Sequence, residues 1–186
     1  KDTSAAPALP APTAEATLRR ELEAFHTADA PADAIDTIWP ALGHDDRFVR
    51  YAARTALEHQ PVESWRERAL AEQDPAASIE ALIALARLGN ADDLAPLLDA
   101  ANKIDLDTLS GELRLSLMRA YALAFVRLRP PNDAERDALT ARLDARFPSE
   151  NQDESVELAR LLIYLESPTI IDKTLALMNS AGEPQP

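Results

Sequence analysis

Asp46-Arg47-Phe48-Val49-Arg50-Tyr51-Ala52-Ala53-Arg54-Thr55-Ala56-Leu57 is followed, at an offset of 28 residues, by Asp74-Pro75-Ala76-Ala77-Ser78-Ile79-Glu80-Ala81-Leu82-Ile83-Ala84-Leu85. Asp46 falls on Asp74, Ala53 on Ala81, Ala56 on Ala84 and Leu57 on Leu85. In each stretch an aspartate stands where a helix N-cap is wanted, and apolar residues recur at helical spacing behind it. Pro75 occupies the first helical position, where its missing N–H costs nothing. Similarity at a period of a few tens of residues is the mark of stacked supersecondary units, each too small to bury its own apolar face.

The same rhythm extends outward. Helices are expected over 14–28, 31–42, 46–59, 62–73, 75–88, 91–102, 111–129, 132–147, 153–166 and 169–180, separated by breaks at Gly43, Asp74, Gly89, Pro130-Pro131, Pro148 and Pro168. Short links make consecutive helices antiparallel. Thr13 reads as an N-cap for Leu18, Leu22 and Phe25. Trp39 and Trp65 stand at apolar positions and are expected to fill the core. Residues 1–13 contain three prolines without helical period and read as an Ala/Pro linker. The domain organisation is therefore a linker over 1–13, a helical domain over 14–180 and a tail over 181–186.

Composition agrees with an all-α class. The chain is 46% hydrophobic but only 5% aromatic, and has four glycines in 186 residues. Alanine and leucine must fill the core, and a chain so poor in glycine has little from which to build tight hairpins. With 19 Lys and Arg against 32 Asp and Glu, the net charge of −13 repels phosphate backbones and anionic lipid surfaces. Neither a nucleic-acid partner nor membrane insertion is expected, and no apolar run approaches the roughly 18 residues of a span. The absence of cysteine removes disulfides, thiolate metal sites and cysteine nucleophiles from this chain.

Leu42-Gly43-His44-Asp45-Asp46-Arg47-Phe48-Val49-Arg50-Tyr51-Ala52-Ala53 resembles the HEAT-repeat consensus: a first helix, an acidic turn, then Val-Arg opening an alanine-rich second helix. Asp74 to Gly89 is similar but lacks the Val-Arg. The resemblance covers 31–89 well and persists to 166 only as a rhythm of helix pairs. It implies a right-handed α-solenoid of antiparallel pairs, 31–42 with 46–59, 62–73 with 75–88, 91–102 with 111–129 and 132–147 with 153–166. The helices at 14–28 and 169–180 are then left over. The last carries Ile170, Ile171, Leu175 and Met178, which is not the polar cap a solenoid wants. Together with a start at Lys1, this suggests a piece of a longer protein. Residues 158–178 also resemble helical-repeat regions of large exported bacterial proteins, lying there between a dehydrogenase-like β-propeller and a c-type cytochrome domain. That resemblance implies a periplasmic or exported redox parent with this segment as its connector.

Chemistry-bearing motifs are few. His44-Asp45-Asp46 is the only cluster of metal-ligand types, and its place at an interhelical turn reads as capping. Glu63, Glu67 and Glu72, and Asp133, Glu135 and Asp137, read as solvated helix faces rather than acid/base pairs. No GxSxG, GxGxxG or P-loop is present, and no cofactor, catalytic residue or metal is expected. Arg50 and Arg54, at i and i+4 on a second helix, are candidates for meeting a partner carboxylate; the alternative is contact with Asp45 or Asp46. A non-catalytic scaffold holding a protein or a neighbouring domain is the leading expectation. An enzyme or ligand-binding module with a concave pocket at Arg50 and Arg54 is the rival.

Overall fold

The structure, a computed structural model, describes residues 11–31 and 33–181; most of the expected linker (1–10) and the tail residues 182–186 lie outside the described residues. Among these there is no strand. Ten α-helices run α1 (Ala14–Glu23), α2 (Ala34–Ile38), α3 (Arg47–Glu58), α4 (Arg66–Ala71), α5 (Pro75–Leu88), α6 (Leu94–Lys103), α7 (Gly111–Arg127), α8 (Asp133–Asp144), α9 (Gln152–Tyr164) and α10 (Ile170–Ala181).

The odd-numbered helices α1 to α9 start sharply. Each has a side-chain cap, with Thr13, Asp46, Asp74, Ser110 and Asn151 accepting from backbone N–H groups of the first turn. Such a cap satisfies donors that have no intrahelical acceptor. The even-numbered partners are less regular than the sequence pattern predicts. The expected helix over 31–42 resolves into five residues of α2 followed by a 3₁₀ turn, Trp39–Gly43. Pro40 lies inside that turn; it has no N–H to give the α-helical ladder, and the chain tightens there. The stretch 62–73 is likewise split, a 3₁₀ turn Val62–Ser64 being separated from α4 by Trp65 at φ −133°. Pro96, by contrast, sits within α6 without breaking it, because it occupies the first turn, where N–H groups lack intrahelical partners anyway.

Packing separates the helices into two rows. In one, α1 lies on α3, α3 on α5, α5 on α7 and α7 on α9; in the other, α4 lies on α6. Across the rows, the Trp39–Gly43 turn packs on α3 and α5, α4 on α5, α6 on α5 and α7, and α8 and α10 on α9. Helix α5 is the hub. Every residue from Ala77 to Ala86 is buried, including Ser78 and Glu80. A helix that is apolar nearly all round must be covered nearly all round, and the alanines at 81, 84 and 86 let its neighbours approach closely. Trp65 and Tyr121 are fully buried, each with its polar atom satisfied: Trp65 Nε1 donates to the Gln60 carbonyl at 3.3 Å, and Tyr121 Oη to Asn102 Oδ1 at 3.0 Å. Burial pushes the Tyr121 phenol up to about 12. Trp39 is also buried, its ring under the Arg68 guanidinium and its Nε1 donating to Glu72 Oε2 at 2.6 Å.

Helix α9 ends in a Schellman motif. Ser167 N–H donates to the Leu162 carbonyl and Glu166 N–H to that of Ile163, with Glu166 in the left-handed region at φ 59°. A glutamate there bears a steric cost that glycine escapes. Glu166→Gly is expected to raise stability by about 0.5–1 kcal/mol in urea denaturation. A loss of stability would show that the Glu166 side chain matters more than its backbone.

Candidate functional site

Arg50 and Arg54 project from α3 towards α5, where Glu80 waits under the surface, 6% exposed. Arg54 Nη1 donates to Glu80 Oε2 at 2.6 Å, and Arg50 Nε lies 3.8 Å from Glu80 Oε1. The other arm of Arg50 crosses to α7, bridging Nη2 to Glu112 Oε1. Its Nη1 donates to the carbonyl oxygens of His44 and Asp45 at 2.8 and 2.9 Å. The chain continues through Glu58, which meets Arg54 Nε at 3.5 Å and Arg87 Nε at 3.0 Å. Burial raises the Glu58 carboxyl above its ordinary value despite the opposing charges of Arg87 and Arg54.

This network links α3, α5 and α7, and it uses both arginines internally. Neither of the sequence alternatives describes it fully. Arg50 does reach the turn, but through backbone carbonyls and not the carboxylates of Asp45 and Asp46. The partner that matters, Glu80, was not singled out, although it stands 26 residues from Arg54, close to the repeat offset.

The remaining polar clusters have local work. Asp46 Oδ1 accepts from the N–H groups of Phe48 and Val49, and the Val49 hydrogen bond foremost keeps its carboxyl below the ordinary value. His44 Nδ1 accepts from Asp46 N–H. Glu72 accepts from Trp39 Nε1 and from the N–H groups of Gln73 and Asp74. Glu135 closes a capping box with Asn132 and forms a two-pronged ion pair with Arg129 at 2.7 Å. Among the described residues no group of three or more histidine or carboxylate side chains is disposed to hold a metal ion, and no helix is long and apolar enough to cross a membrane.

Two open surfaces among the described residues combine large apolar side chains with a groove or a single helix face. Between α7 and α9 runs a groove of about 630 Å³, with Glu112, Leu115 and Arg119 on one wall and Asp153, Val156 and Arg160 on the other. It continues into an apolar recess of about 160 Å³ between Phe125, Val126, Leu161 and Tyr164. The second surface is α10. Ile170 is buried against the core, whereas Ile171, Leu175 and Met178 form an exposed stripe. What holds this helix down is polar: Lys173 Nζ donates to Asp144 Oδ2 at 2.7 Å, and the hydroxyls of Ser167 and Thr169 donate to Asp144 Oδ1.

No protein-family model matches the chain, and no match is found among the curated proteins or the solved structures compared with it. Its chemistry therefore has to be read from the geometry alone.

Removing Glu80 leaves two nearly buried guanidinium groups without their shared counter-charge. Glu80→Ala is expected to cost about 3 kcal/mol or more in urea denaturation, and the triple change Arg50→Met, Arg54→Met, Glu80→Leu to recover most of that loss. A cost below about 1 kcal/mol for Glu80→Ala would mean that the pair behaves as an exposed one.

Asp144 supplies a pH signature. The hydrogen bond from Lys173, with those from Thr169 and Ser167, holds its carboxyl below the ordinary value of 3.8. A folded-state value below the unfolded one contributes stability above the unfolded value and loses it as pH falls through the folded value. Asp144→Asn should therefore cost roughly 1–2 kcal/mol at neutral pH, with the gap from the parent protein narrowing as the pH falls below about 4. Urea titrations across that range measure it; a pH-independent gap would contradict the ion pair.

Proposed function

We propose that the chain is a right-handed solenoid of antiparallel helix pairs, HEAT-like in kind, acting as a non-catalytic scaffold within a longer protein. On this reading it holds a protein partner or a neighbouring domain. Support for the stacked arrangement comes from register. Asp46 and Asp74, 28 residues apart, both cap their helices, and the paired positions Ala53 and Ala81, Ala56 and Ala84, Leu57 and Leu85 are all buried. The row α1–α3–α5–α7–α9 has each second helix touching the next, as nearest-neighbour stacking requires.

The observation that carries the scaffold reading is the α10 stripe. Ile171 is 69% and Met178 65% exposed, on the same helical face as Leu175 at 52%. Large apolar side chains gathered on one face, without a cover, mark a contact surface more often than a solvated one. The internal ion pairs of Arg50 and Arg54 favour a structural use of these residues over a ligand pocket.

Photo-cross-linking tests the reading. A benzoylphenylalanine placed at Leu175 or Met178 of the native protein, in extract of its own cells, should give a discrete protein adduct. The same probe at exposed Asp137 on α8 should not, and Ile171→Asp should abolish the adduct. Equal yields at all three positions would sink the proposal.

A further inference from the structure

The two walls of the α7–α9 groove carry the same chemical order. Along α7, Glu112, Arg119 and Val126 follow one another at seven-residue steps; along α9, Asp153 and Arg160 stand seven apart, with Tyr164 one turn further on. Seven residues make two turns, so these side chains share a face, spaced by about 10 Å along the axis. Both acidic ends open into the same stretch of groove and both apolar ends into the same recess, so the helices run side by side in one direction. From mouth to recess the groove presents Glu112 and Asp153, then Arg119 beside the ion pair of Arg160 with Glu157, then a mostly apolar pocket.

Two of these groups have no partner of their own. Among the described residues Arg119 and Asp153 make no ion pair and no side-chain hydrogen bond, although acidic residues outnumber basic ones 32 to 19. In a chain where arginines readily find carboxylates, as Arg50, Arg54, Arg87, Arg114 and Arg160 do, an unmatched arginine in this groove stands out. Val126 is 79% exposed at the edge of the recess, and Tyr164, stacked on Phe125, is 47% exposed.

We propose that this groove seats a helix of a protein partner that presents, at seven-residue intervals along one face, a cation, a carboxylate and a large apolar side chain. The cation meets Asp153, the carboxylate meets Arg119, and the apolar side chain enters the recess between Val126 and Tyr164, while Glu112 and Arg160 keep their pairs with Arg50 and Glu157. A helix matches because it repeats at the same rise as the walls; an extended strand would pass the three zones in half as many residues or fewer. The charge order also sets direction. The guest lies parallel to α7 and α9, since the reverse orientation brings its apolar residue to the carboxylates and its cation to the apolar recess. This proposal rests on the protein-docking reading above and names the partner's chemistry at a site distinct from the α10 stripe.

The test uses two fluorescein-labelled, alanine-rich helical peptides of about 24 residues. One carries Lys, Glu and Leu in that order at seven-residue spacing; the other has Lys and Glu exchanged, so that composition and net charge are identical. Fluorescence anisotropy with the full chain should give about tenfold tighter binding of the first peptide. Val126→Asp should weaken binding of that peptide, and Arg119→Glu should reverse the preference, each with an unchanged circular dichroism spectrum and melting temperature. A reversal is something a merely structural role for Arg119 would not produce. Equal affinity for the two peptides, binding of neither, or a preference untouched by Arg119→Glu would each overturn the proposal. Self-association that grows with protein concentration and is lost in Val126→Asp would overturn it in favour of a second copy as occupant. If the peptides fail while Met178 still cross-links a protein, the scaffold reading survives and only the groove assignment falls.

Discussion

The cover over α5 is the constraint on which everything else depends. From Ala77 to Ala86 this helix offers solvent nothing, so α3, α4, α6, α7 and the Trp39–Gly43 turn have to close around it. Most of that closure is ordinary burial of leucine, isoleucine and alanine, each large side chain contributing about 1.5–3 kcal/mol. The exception is Glu80, a carboxylate inside an otherwise apolar cover. A charge can remain there only with opposite charge beside it. Arg54 supplies it directly, and Arg50 lies close by while reaching onward to α7. One buried acid thus ties α3 to the hub, and Arg50 carries the link on to Glu112 of α7.

The same economy explains the texture of the two rows. The odd-numbered helices α1 to α9 are all capped by Thr, Asp, Ser or Asn at their starts, and α3, α5 and α7 each touch a neighbour on both sides. The stretches before α3 and before α5 accept breaks. Pro40 and the irregular Trp65 therefore appear there, where a 3₁₀ turn still satisfies most backbone groups. The two tryptophans, Trp39 and Trp65, sit at these irregular places and are buried there.

Electrostatics divides the surface into used and unused parts. Between α3, α5 and α7 the side chains of Arg50, Arg54 and Arg87 are bound internally. Between α7 and α9 one nearly buried pair remains, Arg114 with Glu154 at 3.0 Å. The α7–α9 groove keeps unpaired charges and a shallow apolar recess, and α10 is held by Asp144 and Lys173 while its apolar stripe faces outward. Closed ion pairs lie at the centre of the molecule, and an open groove and an apolar stripe lie towards α9 and α10. That division belongs to the assembly of helices rather than to any single residue.

The helical class, most of the breaks and the capping residues were legible in the sequence, because caps and apolar periodicity act over a few residues and leave local signals. Asp46 and Asp74 could be read as N-caps, Trp39 and Trp65 as core, and the alanines of α3 and α5 as close-packing positions, all from spacing. The splitting of 31–42 and 62–73 was harder to see, since a proline or tryptophan inside a short helix permits either an α or a 3₁₀ path and packing decides. Arg50 and Arg54 stood out early, but their destination did not. Glu80 and Glu112 lie on other helices, and only tertiary packing brings them within bonding distance, whereas Glu58 stands one turn from Arg54 on the same helix. The groove had a trace in the sequence as well, in Glu112, Arg119 and Val126 at equal steps. It became a surface only when α9 was laid beside α7, because a groove needs two walls and the chain encodes them some forty residues apart.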